Sequence, residues 1–140
     1  MTPVRVLFLC TGNSARSILA EAALKHAGGS AYDVHSAGTS PKGVNPYALE
    51  VLAASGIEAG GATSKSVRDF EGQEFDYVIT LCDDAAENCP IFWGGTQRLH
   101  WGLEDPAAVM GSDSEKRAAF QSTLDGLRER LATFVKETAR

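Results

Sequence analysis

The chain predicts a single α/β domain, residues 1–140, with a parallel sheet covered by helices on both faces. Three observations carry that expectation. Short β-favouring apolar runs alternate with helix-favouring stretches along the 140 residues. Turn and capping residues fall between them. The composition, 44% hydrophobic and 22% charged, is that of one globular core, with no repeat, linker or low-complexity tract. Strands separated by helices pair in parallel because each connection has to cross over the sheet, and the crossovers cover its faces.

Val4 to Leu9 is a continuous apolar run and reads as the first strand. It breaks into Cys10-Thr11-Gly12-Asn13-Ser14, after which Ile18 to Ala27 reads as a helix ended by Gly28-Gly29. Tyr32 to Ala37, closed by Gly38, is the second strand. Asn45-Pro46 supplies a cap and a first-turn proline for a helix with Leu49, Leu52 and Ala53 on one face. Glu58 to Lys65 is loop, Val67 to Phe70 a short helical turn, and Phe75 to Leu81 a third, buried strand with Cys82 at its carboxyl end. Leu99 to Trp101 is the candidate fourth strand, and Gly102 to Gly111 reads as loop. The last helix, capped by Ser112 or Ser114, carries Phe120, Leu124, Leu127, Leu131 and Phe134 at steps of four and three, a buried stripe on a charged helix.

Composition excludes several function classes. Thirteen Lys and Arg against 18 Asp and Glu give a net charge of −5, the wrong sign for a nucleic-acid or anionic-membrane surface. The longest apolar stretch, Val6 to Cys10, is too short for a membrane span or a secretory signal, so the expectation is a cytoplasmic protein. Three cysteines, Cys10, Cys82 and Cys89, do not make the disulfide framework of a small secreted domain. In open parallel sheets ligands bind beyond the carboxyl ends of the strands, where Cys10 and Cys82 both fall.

Cys10-Thr11-Gly12-Asn13-Ser14-Ala15-Arg16-Ser17 places a thiol, five residues and an arginine between a strand and a helix. In a loop of small residues, successive N–H groups of Thr11, Gly12, Asn13, Ser14, Ala15 and Arg16 can converge on one point. The helix N-terminus adds its positive field, so a tetrahedral oxyanion is the natural guest. Arg16 would close the cradle as a two-pronged donor. The same field favours the thiolate of Cys10, to which the Ser17 hydroxyl could donate. The plainer alternative is a buried strand-end cysteine. A nucleotide phosphate loop is excluded because its second glycine and Lys-Ser/Thr are missing.

Cys82 and Cys89 enclose six residues, Asp83 to Asn88. Zinc would want two to four intervening residues and a second ligand pair, so no metal is expected. Two unrelated thiols and a redox pair both stay open. A helical Cys82-to-Cys89 segment would hold the α-carbons about 10 Å apart, and a disulfide tolerates at most about 7 Å, so pairing them would require the segment to unwind. Asp105, before Pro106, is either a turn residue or a general acid. Asp83, Asp84 and Glu104 read as solvated.

Together, Cys10 to Ser17, Cys82 with Cys89-Pro90, and His100-Trp101-Gly102 leading to Asp105-Pro106 resemble the thioredoxin-coupled arsenate reductases, which are built on the low-molecular-weight tyrosine phosphatase fold. The resemblance runs in order over almost the whole chain and implies a four-stranded parallel sheet. It implies Cys10 as nucleophile, Arg16 and the loop amides as arsenate ligands, Asp105 as acid, and Cys82 then Cys89 as the relay. No bound cofactor is implied. The partners are arsenate and thioredoxin, acting on a monomer.

Two departures stand out. Ala15 occupies a position that is often cysteine in the related families. Some members bind potassium through residues matching Asn13, Glu21, Ser36 and Thr63 with an acidic residue, and here Lys65 takes the acidic position, so its ammonium is expected to replace the ion. A phosphatase using the same loop and Asp105, and a non-catalytic oxyanion or redox sensor, are the competing functions. The phosphatase leaves Cys82 and Cys89 idle, and Ala107-Ala108 offers no aromatic ring to hold a phosphotyrosine. What activates Cys82 amid Asp83, Asp84 and Glu87 is not visible in the sequence.

Overall fold

In the computed structural model, which describes residues 2–87 and 96–139, β1 (Val4–Cys10) is an inner strand of a four-stranded, all-parallel sheet. The order is β2-β1-β3-β4, with β2 at Tyr32–Gly38, β3 at Tyr77–Thr80 and β4 at Gln97–His100. Cys89, Pro90 and the side chain of Asp84 lie outside what is described. Val6, Leu7, Phe8 and Leu9 are all wholly buried, so β1 reads as a continuous apolar run with no alternation. β3 is shorter than the expected Phe75 to Leu81. β4 is a mostly exposed edge strand and lies slightly before the expected Leu99 to Trp101.

The helices are α1 (Arg16–Gly28), α2 (Pro46–Ala54), α3 (Asp83–Glu87) and α4 (Asp113–Thr138). Tyr32 and Tyr77 on one face of the sheet meet Phe134 of α4, with ring centroids 6.2 and 5.1 Å apart. α1 packs on β1, β2 and α4. On the other face His35 meets Phe70 and Phe75, and α3 packs against β1 and β3. Both faces are therefore covered, as the alternation of elements requires.

α4 buries Phe120, Leu124, Leu127, Leu131 and Phe134, the expected stripe, and starts with a reciprocal capping box between Ser112 and Glu115. Asn45 caps α2 by accepting from Tyr47 N at 2.9 Å. The buried residues of α2 are Ala48, Val51 and Leu52, whereas Leu49 is 40% exposed and Ala53 is exposed. The apolar face carrying Leu49, Leu52 and Ala53 is therefore not the buried one, and of the three only Leu52 is in the core. α2 is apolar nearly all round, so its own pattern does not choose a face. Docking on α4, with Tyr47 and Phe120 ring centroids 5.6 Å apart, does. Among the described residues no helix is long and apolar enough to cross a membrane.

Candidate active site

The loop after β1 is held from outside by the chain that follows β2. The amides of Thr39, Ser40, Lys42 and Asn45 donate to the carbonyls of Cys10, Thr11, Gly12 and Ser14, at 3.2, 2.8, 3.0 and 2.9 Å. A loop whose carbonyls are taken up on its outer side has its N–H groups left for the inner side, where α1 begins. Gly38 permits the close approach. A Cβ there would stand 2.5 Å from the Thr11 carbonyl oxygen and 2.8 Å from Asn13 N, both backbone atoms. Gly38→Ala is accordingly expected to cost about 1–3 kcal/mol, the usual penalty for overpacking, and to abolish the thermal stabilisation conferred by inorganic phosphate. Melting curves with and without phosphate test this, and wild-type behaviour of the variant would contradict the tight seam.

Asn13 is the single non-glycine residue with positive φ, at +43°, among the described residues, and it is fully buried. Its side chain explains why this conformation is kept. Nδ2 donates to Ser17 Oγ at 2.7 Å and to Ser36 Oγ at 2.9 Å, while Oδ1 accepts from Lys65 N at 2.7 Å. Ser17 Oγ therefore already accepts a hydrogen bond, which leaves its proton for the Cys10 sulfur 2.9 Å away. The sulfur of Cys10 is thus held against a fixed hydroxyl at the start of α1. The expected donation from Ser17 thus has a geometric basis, and the residue that orients Ser17 is Asn13.

Arg16 Nη1 donates to the Leu103 carbonyl at 3.1 Å, and Nη2 lies 3.9 Å from Asp105 Oδ2. Asp105 Oδ1 accepts from Ala107 N at 3.0 Å, capping a 3-10 turn over Pro106–Ala108. Asp105 is thus both a turn residue and a wall of the cavity. That cavity, about 250 Å³, is lined by Cys10, Thr11, Gly12, Ser14, Ala15, Arg16, Lys42, Asp105 and Ala107. Among these described residues none is aromatic.

Cys82 is buried and free, immediately before α3. Its sulfur lies 3.3 Å from Thr11 Oγ1 and accepts from Ala85 N at 3.4 Å. The sulfur is thus held between a hydroxyl of the anion loop and a donating amide from the first turn of α3. Asp83 is exposed as expected, yet it is also 3.2 Å from His100 Nε2, while His100 Nδ1 lies 2.8 Å from Thr80 Oγ1. Glu104 is exposed.

Sequence reasoning brought Cys10, Arg16, Ser17, Asp105 and Cys82 to one end of the sheet, and the structure places them there. It missed Gly38 and Lys42, which come from a separate segment that reads only as Ser-Pro-Lys-Gly turn chemistry. Glu21, Ser36, Thr63 and Lys65 also come together. Lys65 Nζ donates to the Thr63 carbonyl at 2.7 Å and lies 3.7 Å from Glu21 Oε1, and Ser36 Oγ donates to that same Glu21 oxygen. Among the described residues no cluster of three or more His, Cys, Asp or Glu is arranged to hold a metal ion.

The family model of the low molecular weight phosphotyrosine protein phosphatases matches residues 5–140. An arsenate reductase of Halalkalibacterium halodurans is 41% identical over 131 residues, 94% of each chain. A solved arsenate reductase in its phosphate-binding state superposes with a TM-score of 0.82 at 29% identity, covering 97% of this chain and 99% of that one. The thioredoxin-dependent arsenate reductase of Corynebacterium glutamicum gives a TM-score of 0.76 at 34% identity, covering 97% of this chain and 62% of that one.

Proposed function

The chain belongs to the low molecular weight phosphotyrosine protein phosphatase family and, within that fold, to the arsenate reductases, and from that premise we propose that it reduces arsenate to arsenite through Cys10, Cys82 and Cys89, with thioredoxin restoring the reduced chain. The observation that carries this reading is the position of Cys82: a second buried thiol whose sulfur touches Thr11 of the anion loop at 3.3 Å. A phosphatase acting through a phosphocysteine has no use for it. Nor does the cavity offer an aromatic wall for a phosphotyrosine ring among its described residues.

Arsenate sits on the loop amides and Arg16. The Cys10 thiolate attacks arsenic, and Asp105 protonates the oxygen that leaves as water. Cys82 then attacks the Cys10 sulfur. The electron pair of the sulfur–arsenic bond passes to arsenic, arsenite departs, and a Cys10–Cys82 disulfide remains. Cys89 attacks Cys82 and frees Cys10. The resulting Cys82–Cys89 disulfide is reduced by two electrons from the dithiol of thioredoxin. α3 lies within the six residues between Cys82 and Cys89, so forming this disulfide is expected to open the helix.

The test is a thiol count. Fully reduced protein given excess arsenate and no external reductant is expected to lose two thiols and release one arsenite per chain. Three surviving thiols with no arsenite would leave the phosphatase as the working function.

Potassium does not fit the site around Glu21, because the Lys65 ammonium already contacts the Thr63 carbonyl and faces the Glu21 carboxylate. A fixed lysine supplies the charge that a cation would supply, at no cost in ion binding. Arsenate kcat/KM is therefore expected to be the same in sodium and potassium buffers of equal ionic strength. A large increase in potassium would refute the substitution of Lys65 for an ion.

A further inference from the structure

Lys42 is the one lysine lining the cavity among the described residues, and nothing in the Cys10-to-Arg16 motif calls for it. Its placement is built. The Lys42 amide donates to the Gly12 carbonyl at 3.0 Å, and its stem lies on Gly12 so closely that a Cβ there would stand 2.8 Å from Lys42 Cε and 3.0 Å from Cγ. The glycine in the anion loop thus makes room for a lysine stem as well as for a tight backbone. Gly43, at φ +96°, turns the chain away immediately afterwards. The backbone of Lys42 is tied to the loop and its stem lies on Gly12, while the residue itself is exposed.

The charge balance of the cavity gives the Lys42 ammonium a task. Arg16 is shared: one nitrogen serves the Leu103 carbonyl and another faces the Asp105 carboxylate. Besides Lys42, Arg16 is the cationic side chain among the described lining residues, it is also engaged by the Leu103 carbonyl, and a chain of net charge −5 supplies no positive field at long range. Among the described residues the Lys42 ammonium has no carboxylate partner, whereas Lys25 and Lys65 both lie against Glu21.

We propose that Lys42 is a substrate-binding residue, a second cation beside Arg16 that pairs with the oxyanion in this cavity. The proposal rests on the reading of this cavity as the arsenate site and adds the group that sets its affinity for a doubly charged tetrahedral anion. An ammonium on a stem laid along Gly12 meets the oxyanion by a rotation of its last bonds, with no movement of the backbone.

The experiment compares wild type, Lys42→Gln and Lys42→Arg in two measurements: arsenate turnover over a range of arsenate concentrations, and calorimetric binding of inorganic phosphate to the reduced protein. Lys42→Gln is expected to raise the arsenate KM and the phosphate Kd together by about tenfold, the scale of one charge-assisted hydrogen bond, while kcat changes far less. Lys42→Arg restores most of the loss, and added sodium chloride narrows the gap between wild type and Lys42→Gln. Equal phosphate affinity in wild type and Lys42→Gln overturns the proposal. So does an arginine variant as weak as the glutamine one, because stem packing and not charge would then be at work. Lys42-dependent phosphate binding in a protein that makes no arsenite would sink the reductase reading and leave the role of Lys42 standing.

Discussion

Cys10→Ser is expected to reduce arsenite production to the uncatalysed rate, a loss of at least about 10⁴-fold, within the range seen when a covalent nucleophile is removed. The substitution is nearly isosteric at a site 2% exposed and keeps a partner for Ser17 Oγ, so the loop should remain formed. What disappears is the electron pair. A serine oxygen bonded to arsenic cannot be attacked by Cys82 to give a disulfide, so arsenic has no route from the pentavalent to the trivalent state. Phosphate should still raise the melting temperature, because the amides, Arg16 and the helix N-terminus are untouched. Arsenite at more than a trace from Cys10→Ser, with phosphate binding intact, would move the nucleophile to Cys82 or Cys89 and dismantle the proposed order of steps.

The parts of this site that were legible in the sequence are those whose members are neighbours in the chain. Cys10, Gly12, Arg16 and Ser17 lie within eight residues, and strand-to-helix context is enough to say that such a loop binds an anion. Asp105 and Cys82 were legible because each sits just past a strand end, which a parallel sheet brings to one edge. The outer support of the loop was not legible. Gly38, Ser40 and Lys42 act through backbone contacts at 2.8–3.0 Å or through a stem laid on a glycine, and no side-chain pattern encodes those. The fold shows the same division. The stripe of α4 was readable because that helix is charged everywhere else, while α2 is apolar on most sides and left Leu49 on the wrong face. β4 gave a weak signal because an exposed edge strand with Gln97 and Arg98 has little apolar surface to bury.

Asn13 shows why the network behind the nucleophile escaped notice. A buried asparagine with positive φ looks in sequence like any loop asparagine. Its function depends on Ser36 and Lys65, 23 and 52 residues away. Only when both are in place does the amide have its hydrogen-bonding capacity filled and Ser17 a single direction in which to donate.

Cys82→Ser separates the two chemistries that the fold supports. Its expected result is arsenite production reduced at least about 10⁴-fold, as for loss of a nucleophile, with hydrolysis of p-nitrophenyl phosphate retained within about one order of magnitude, since every group that touches the oxyanion remains. Cys10 can still add to arsenate, but without the Cys82 thiol beside the anion loop the adduct returns to thiol and arsenate. All remaining thiols should therefore titrate after exposure to arsenate alone. The serine keeps a polar atom for Thr11 Oγ1 and for Ala85 N, so the seam between the anion loop and α3 is preserved. Three outcomes are informative. Loss of arsenite with phosphatase activity retained supports Cys82 as the second nucleophile. Wild-type arsenite production would assign that step elsewhere and remove the observation on which the reductase mechanism rests. Loss of both activities together with phosphate-dependent stabilisation would mean that Cys82 holds the loop in shape, in which case the contact with Thr11 is structural and the chemistry must be sought in Cys10 and Cys89.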